Sequence, residues 1–265
     1  MEEVQTGFVA LLDVLGFAAL VAGDTEDGQK LQGYLQCLQE AFASDSSGLE
    51  VDYVVFSDSI VITTKEDTEK SLLALLARCS KVFWLMLERK IPIRGAIAHG
   101  SYLRSPDSKA GVFVAGKAII DAYNFETRQN WIGIMLAPSV IKRVPDIANR
   151  CTIPVYNNPD LQQQLRERLA WAAYVQPCHA IPFHATSPFE NNDYDGLSIV
   201  PTSDMLTPTS VRDAVKRSVK ALEWLKSLAP GPSEQAKYGS SITWLRKIRQ
   251  DWEGVLSWWG SGENR

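Results

Sequence analysis

The sequence predicts a mixed α+β fold built on a β-α-β-β-α-β core. Three observations carry that expectation. Residues 7–14, "GFVALLDV", form a nearly continuous apolar run that turns polar only at its end, as in a strand buried on both faces. Residues 53–64, "YVVFSDSIVITT", are two strand-forming runs broken at the centre by Ser57-Asp58-Ser59. Asp is depleted from strands and favoured in turns, so the interruption reads as a hairpin connection between strands at 51–56 and 60–64. Each side of this hairpin is flanked by a segment with apolar residues at three- and four-residue spacing.

The first such segment covers 29–42, where Leu31, Tyr34, Leu35, Leu38, Ala41 and Phe42 define one helical face. The second covers about 67–89, opening acidic and ending basic in accord with the helix dipole, with Pro92 as its stop. "IPIRGAIAHGSYL" then reads as a fourth strand, "AGVFVA" as a short fifth, "GKAIIDAYNFETRQ" as a helix and "WIGIML" as another strand. This order gives a ferredoxin-like split β-α-β-β-α-β palm with additions. Beyond 138 the expectation is a strand within 144–156, a helix at "LQQQLRERLAWAA" and a loop-rich stretch at "CHAIPFHATSPFENNDYDG". Two helices, separated by Pro-Gly-Pro, close the chain. The expected organisation is one domain over 1–200 and a helical extension over 201–265, whose Trp224, Trp244, Trp252, Trp258 and Trp259 serve as packing anchors or an oligomer contact.

At 265 residues and 45% hydrophobic content the chain can bury a real core. Its formal net charge of -4 creates no basic field that would draw it to nucleic acid. Cys37, Cys79, Cys151 and Cys178 lie far apart with no C-x-x-C pair, which disfavours zinc and disulfides and fits a reducing cytoplasm. The apolar N-terminal stretch is short and broken by Asp13, so neither a signal peptide nor a membrane span is expected. No G-x-x-x-x-G-K-[ST] phosphate loop occurs.

In a split β-α-β-β-α-β arrangement the end of the first strand approaches the hairpin tip, making Asp13 and Asp58 neighbours. Two carboxylates with no basic partner in the local sequence repel unless a cation intervenes. Mg²⁺ or Mn²⁺, which take hard oxygen ligands, would answer that repulsion. Each Asp alone would be an ordinary turn or strand-end residue; "DVLGF" adds a glycine turn whose N–H groups could cradle phosphate.

These segments carry a resemblance to a known family. "FVALLDVLGF" resembles the "DIxGF" opening of class III nucleotide cyclase domains, "VVFSDSIVI" their metal-aspartate hairpin, and "IPIRGAIAHG" their "RxGIHxG" strand. "GKAIIDAYNFE" stands where the family has a "G-x-x-VNxAxRxE" helix, so the likeness covers roughly 7–140. The resemblance implies the class III nucleotidyl cyclase fold and a homodimer with sites at the subunit interface. It also implies two divalent ions held by Asp13, Asp58 and the Val14 carbonyl, and a triphosphate-holding turn at Leu15, Gly16 and Phe17. Attack of a ribose 3′-oxygen on the α-phosphorus would expel pyrophosphate.

The sequence also departs from that pattern. The Asn and Arg that purine-specific members carry on the helix read Ile120 and Asn124 here, leaving Arg94 or Arg128 as candidates for transition-state charge. A common base-reading Lys is replaced by Val54, beside Tyr53, and the family's Asp or Thr before "W-G" becomes Phe113. Tyr53 and Phe113 are therefore either pocket-lining residues that suit a pyrimidine or plain core residues. The pattern looks like the pyrimidine cyclases of bacterial Pycsar antiphage systems, which convert UTP or CTP to a cyclic nucleotide read by a separate effector. The expected enzyme is a uridylate cyclase. Its alternatives are a cytidylate or purine cyclase, or a palm-like sensor without turnover. His99, before a turn glycine, reads as structural, and His179 and His184 lack the spacing of a zinc site.

Overall fold

The computed structural model describes residues 4–24, 28–43, 51–108, 111–151, 171–182, 193–202 and 207–262. Strand β1 (Gln5–Val14) is buried from Gly7 to Leu12 and lies inside the sheet with a strand on either side, which explains its unbroken apolar run. On one side it pairs antiparallel with β3 (Ser59–Thr64), which turns back from β2 (Val51–Phe56). On the other it pairs antiparallel with β4 (Ile93–Ser108). The order β2-β3-β1-β4 is that of the ferredoxin-like palm, so the chain has the α+β fold its sequence predicts.

The connecting helices lie where the periodicity placed them. Helix α1 (Phe17–Ala22) is a short addition, and α2 spans Gln29–Phe42. Helix α3 (Glu69–Glu88) begins at Thr68, whose hydroxyl accepts from Ser71 N–H at 3.1 Å, a cap worth about 1 kcal/mol. It ends in a Schellman motif: Ile91 N–H reaches Met86 O at 2.8 Å and Lys90 N–H reaches Leu87 O at 2.9 Å. Lys90 takes the left-handed position (φ 61°) that glycine usually fills, while its Nζ sits 3.9 Å from the Trp224 ring centroid.

Strand β5 (Gly111–Ala115) folds back on β4 to make an arm, and α4 (Lys117–Arg128) then crosses the sheet. Gly116 at that junction has φ 147°, and a Cβ there would stand 2.5 Å from Tyr102 Cα. Strand β6 (Gly133–Leu136) pairs parallel with β4; α5 (Pro138–Arg143) and α6 (Ile147–Cys151) follow.

Two expectations are overturned here. Residues 147–151, assigned to a strand, are helical, while 152–156 and the 161–170 part of the expected helix lie outside the described residues. The stretch taken as loop contributes to strands β7 (Val175–Pro182) and β8 (Asp193–Ile199), which extend the sheet through β6. Proline suggested a loop at 178–196, but β7 is the outermost strand, where a missing N–H is tolerated.

Helices α7 (Pro208–Leu228) and α8 (Pro232–Gly262) pack together and against the body of the fold. Trp252 is fully buried and Trp244 nearly so, whereas Trp224 is half exposed. Trp244 meets Trp131 edge to face at 5.4 Å between ring centroids, and the Ser241 hydroxyl bridges Ile132 O (2.7 Å) and Ile132 N–H (3.0 Å). The side chains of Trp258 and Trp259 lie outside the described residues. Among the described residues no helix is long and apolar enough to cross a membrane.

Candidate active site

Sheet register brings the two aspartates together. Asp13 stands opposite Ser59, and Val14 N–H donates to Asp58 O at 2.9 Å. The hairpin connection is the two residues Ser57-Asp58, with positive φ (57°) at Ser57 alone, the sign pattern of a type II′ turn. Below the turn, the Tyr34 hydroxyl of α2 donates to Ser57 O at 3.3 Å. Burial pushes the Tyr34 phenol up to about 12, and the Asp58 charge adds to the shift. Asp58 is therefore displayed by a braced turn.

The third charge comes from β4. Arg94 is the direct cross-strand partner of Asp13, and its Nη2 lies 3.9 Å from Asp13 Oδ2. No basic residue was visible near either aspartate in the sequence because Arg94 is adjacent only through pairing. The guanidinium is held elsewhere: Nε donates to Glu126 Oε1 at 2.5 Å and Nη1 to Gln129 O at 2.8 Å. Glu126, on the last turn of α4, is only 3% exposed. Burial raises the Asp13 carboxyl above its ordinary range; Arg94 opposes that rise and the Asp58 charge adds to it. Glu126 is also raised by burial, against the opposing pull of Arg94.

Gln129 is itself fixed. Its Nε2 donates to Gly95 O (3.0 Å) and Phe125 O (3.2 Å), and its Oε1 accepts from Trp131 Nε1 (2.9 Å). Trp131 in turn packs on Trp244 of α8. A chain of contacts thus runs from the C-terminal helices to the clamp on Arg94.

The donor chemistry fits a divalent cation. Asp13 and Asp58 supply hard oxygens of like charge, and the Val14 backbone lies between them. Among the described residues no group of three or more His, Cys, Asp or Glu side chains could hold a metal. An ion here would rest on two carboxylates, its other ligands being backbone carbonyl, water or substrate, as is usual for Mg²⁺. Gly16 opens the adjacent turn with φ 73° and Phe17 packs edge to face on Tyr34, although Leu15 N–H is already committed to Pro92 O.

The remaining sequence candidates are placed differently. Tyr53 opposes Ile62, which opposes Ala10, so it projects from the sheet face opposite Asp13 and stacks on Phe42 at 3.8 Å between ring centroids. The fold therefore does not bring Tyr53 to the carboxylates of its own chain. Phe113 opposes Ser105 on the β4–β5 arm, up to roughly 35 Å of strand beyond Arg94 at about 3.3 Å per residue. Arg128 lies on the same last turn of α4 as Glu126 and is half-buried. Ile120 and Asn124 are exposed on α4. His99 is structural, its Nε2 3.0 Å from Asp67 Oδ1 and its ring against Phe8; His179 falls on β7 and His184 lies outside the described residues. Glu126 and Gln129 escaped the sequence reading, although the "AYNFE" segment that carried the family resemblance contains the former.

Solved structures similar to the chain include nucleotide cyclase domains. The adenylyl cyclase CyaB from P. aeruginosa is 11% identical with a TM-score of 0.47, over 77% of this chain and 100% of that one. The guanylate cyclase domain of RhGC from Catenaria anguillulae, in complex with GTP, is 11% identical with a TM-score of 0.46, over 74% and 97%. The non-canonical dimeric guanylyl cyclase domain of the RhoGC fusion protein from Blastocladiella emersonii is 13% identical with a TM-score of 0.45, over 55% and 88%. No protein-family model matches the chain, and no curated protein matches it.

Proposed function

We propose that the protein is a metal-dependent nucleotidyl cyclase that converts UTP to 3′,5′-cyclic UMP and pyrophosphate, a second messenger for a separate effector in antiphage defence. The observation that carries the proposal is the meeting of Asp13 and Asp58 at the end of the palm, two like charges held within each other's field. Asp13, Asp58 and the Val14 carbonyl would hold Mg²⁺ or Mn²⁺, whose contribution when bound is charge neutralisation at the reacting oxygens. The Gly16–Phe17 turn holds the triphosphate beside them. The bond from the ribose 3′-oxygen to the α-phosphorus forms as the bond to the β-phosphate oxygen breaks; pyrophosphate departs and the hydroxyl proton passes to solvent. Arg94 and Arg128 are the candidates for the charge that develops, Arg94 only through its Nη2 edge, since Glu126 offsets much of its charge.

Support for a homodimer comes from exposed apolar residues on the Asp13 side of the sheet. Phe56 is 80% exposed at the hairpin, and Ile120 and Tyr123 are exposed on α4. A second copy covering them would also receive the β4–β5 arm, which carries Phe113 away from its own site. The choice of UTP rests on the family likeness, since Tyr53 faces away.

A non-catalytic nucleotide sensor is the second reading, favoured by Ile120 and Asn124 where purine cyclases carry Asn and Arg. Incubation of the protein with each ribonucleoside triphosphate and Mn²⁺, with products identified by mass spectrometry and Asp58→Ala as control, separates the two. Cyclic UMP that disappears in the control is expected. ATP or GTP turnover alone would reject the pyrimidine assignment, equal product from the control would reject the carboxylate mechanism, and no product would favour the sensor.

A further inference from the structure

We infer that Glu126 is a positioning residue that holds the Arg94 guanidinium away from Asp13, so that the Asp13/Asp58 pair keeps its affinity for a divalent cation. The inference rests on the reading of those carboxylates as a cation site. Asp13 and Arg94 are direct partners across β1 and β4, a placement that invites a close ion pair. The separation is instead 3.9 Å, at the edge of an ion pair and well beyond a charge-assisted hydrogen bond. What prevents closure is visible: the guanidinium is tied by Nε to Glu126 and by Nη1 to the Gln129 carbonyl, so only its Nη2 edge faces Asp13. Gln129 is immobilised by three further hydrogen bonds, and Glu126 is fixed by burial on α4.

Two consequences follow for a bound cation. Arg94 is of the same sign as the ion and would compete with it for Asp13 if released. The Glu126 charge cancels that of Arg94 at close range, so the pair presents little net charge to the site. Glu126 thus need not touch a ligand to set its affinity.

The test is a nucleotide-free titration of the full chain with Mn²⁺, following free Mn²⁺ by electron paramagnetic resonance, for the parent, Asp58→Ala, Glu126→Gln and the double variant Arg94→Gln/Glu126→Gln. Glu126→Gln keeps an acceptor oxygen but removes the charge, and binding is expected to weaken about tenfold. The double variant, with both charges gone, is expected within threefold of the parent, a recovery that loss of packing would not produce. Parent-like binding by Glu126→Gln, with Asp58→Ala weakened, would overturn this inference alone. A parent that binds no Mn²⁺, or an Asp58→Ala variant that binds as the parent does, would overturn the cation site and the inference together. If the single variant does not fold, the double variant decides: binding tenfold tighter or weaker than the parent would mean that Glu126 does not offset Arg94.

Discussion

Replacing Arg94 by methionine should strand a buried carboxylate. Glu126 is 3% exposed and the Arg94 side chain 14%, and removing one member of such a pair costs about 3–5 kcal/mol. For a chain of this size that lowers the melting temperature by on the order of 10 °C. The loss should depend on pH with a definite sign. Burial already holds the Glu126 carboxyl above its ordinary value of 4.5, and Arg94 provides the opposing pull, so the variant's carboxyl rises further. A carboxyl raised in the folded state binds more protons there than in the unfolded chain. Its penalty is therefore full above the folded pKa and fades as the pH falls toward 4.5. Asp13, which loses the same opposing charge, adds an effect of the same sign. Urea unfolding followed by tryptophan fluorescence between pH 5 and pH 8, as a working range, should show the deficit shrinking in acid. Arg94→Met/Glu126→Leu should recover most of it at every pH, because an apolar pair tolerates burial. A deficit that is constant with pH or deepens in acid, or a double variant as unstable as the single, would refute the assignment of the buried pair.

Asp13→Asn should stabilise the cation-free protein at neutral pH by a few tenths to about 1 kcal/mol, since burial and Asp58 disfavour the charge; the gain should vanish as the pH falls toward the ordinary 3.8, and urea midpoints check it. Gly116→Ala should cost about 2–5 kcal/mol in the same assay, from its left-handed φ and from Cβ contacts of 2.5 Å and 2.6 Å with Tyr102 Cα and Ser101 O. Trp244→Ala should cost about 3–5 kcal/mol and alter the near-ultraviolet dichroism of the Trp131 pair. All four cysteines are buried thiols outside any disulfide, with burial pushing Cys37 up to about 11 and Cys151 up to about 12, so a thiol reagent should label them only at the rate of unfolding; rapid labelling of the native protein would contradict their placement.

The palm was legible because its signals are local. The continuous apolar run of β1 marks an interior strand, and α2 occupies the residues its spacing assigned, Gln29–Phe42. The β7–β8 pair was not legible, because proline and weak alternation describe an edge strand as well as a loop. The end of α3 fell where Pro92 and the basic residues before it put it, at Glu88 with Arg89 as cap, although Lys90 fills a left-handed position that glycine usually takes. At the site, topology alone predicted that Asp13 and Asp58 would meet. It could not place Tyr53, because a strand residue's face depends on register counted from the partner strand, and one position decides which side it takes.

The sequence by itself determined the order of the palm elements through β6, the two aspartates and the glycine turn beside them, since each is written in neighbouring residues. Only the tertiary structure decided the electrostatics of the site. Arg94 faces Asp13 through strand pairing, and Glu126 reaches Arg94 across 32 positions of chain because α4 packs over that face. Charges so distant in sequence act on one another only when burial has removed the water between them and fixed their separation, and that is set by packing.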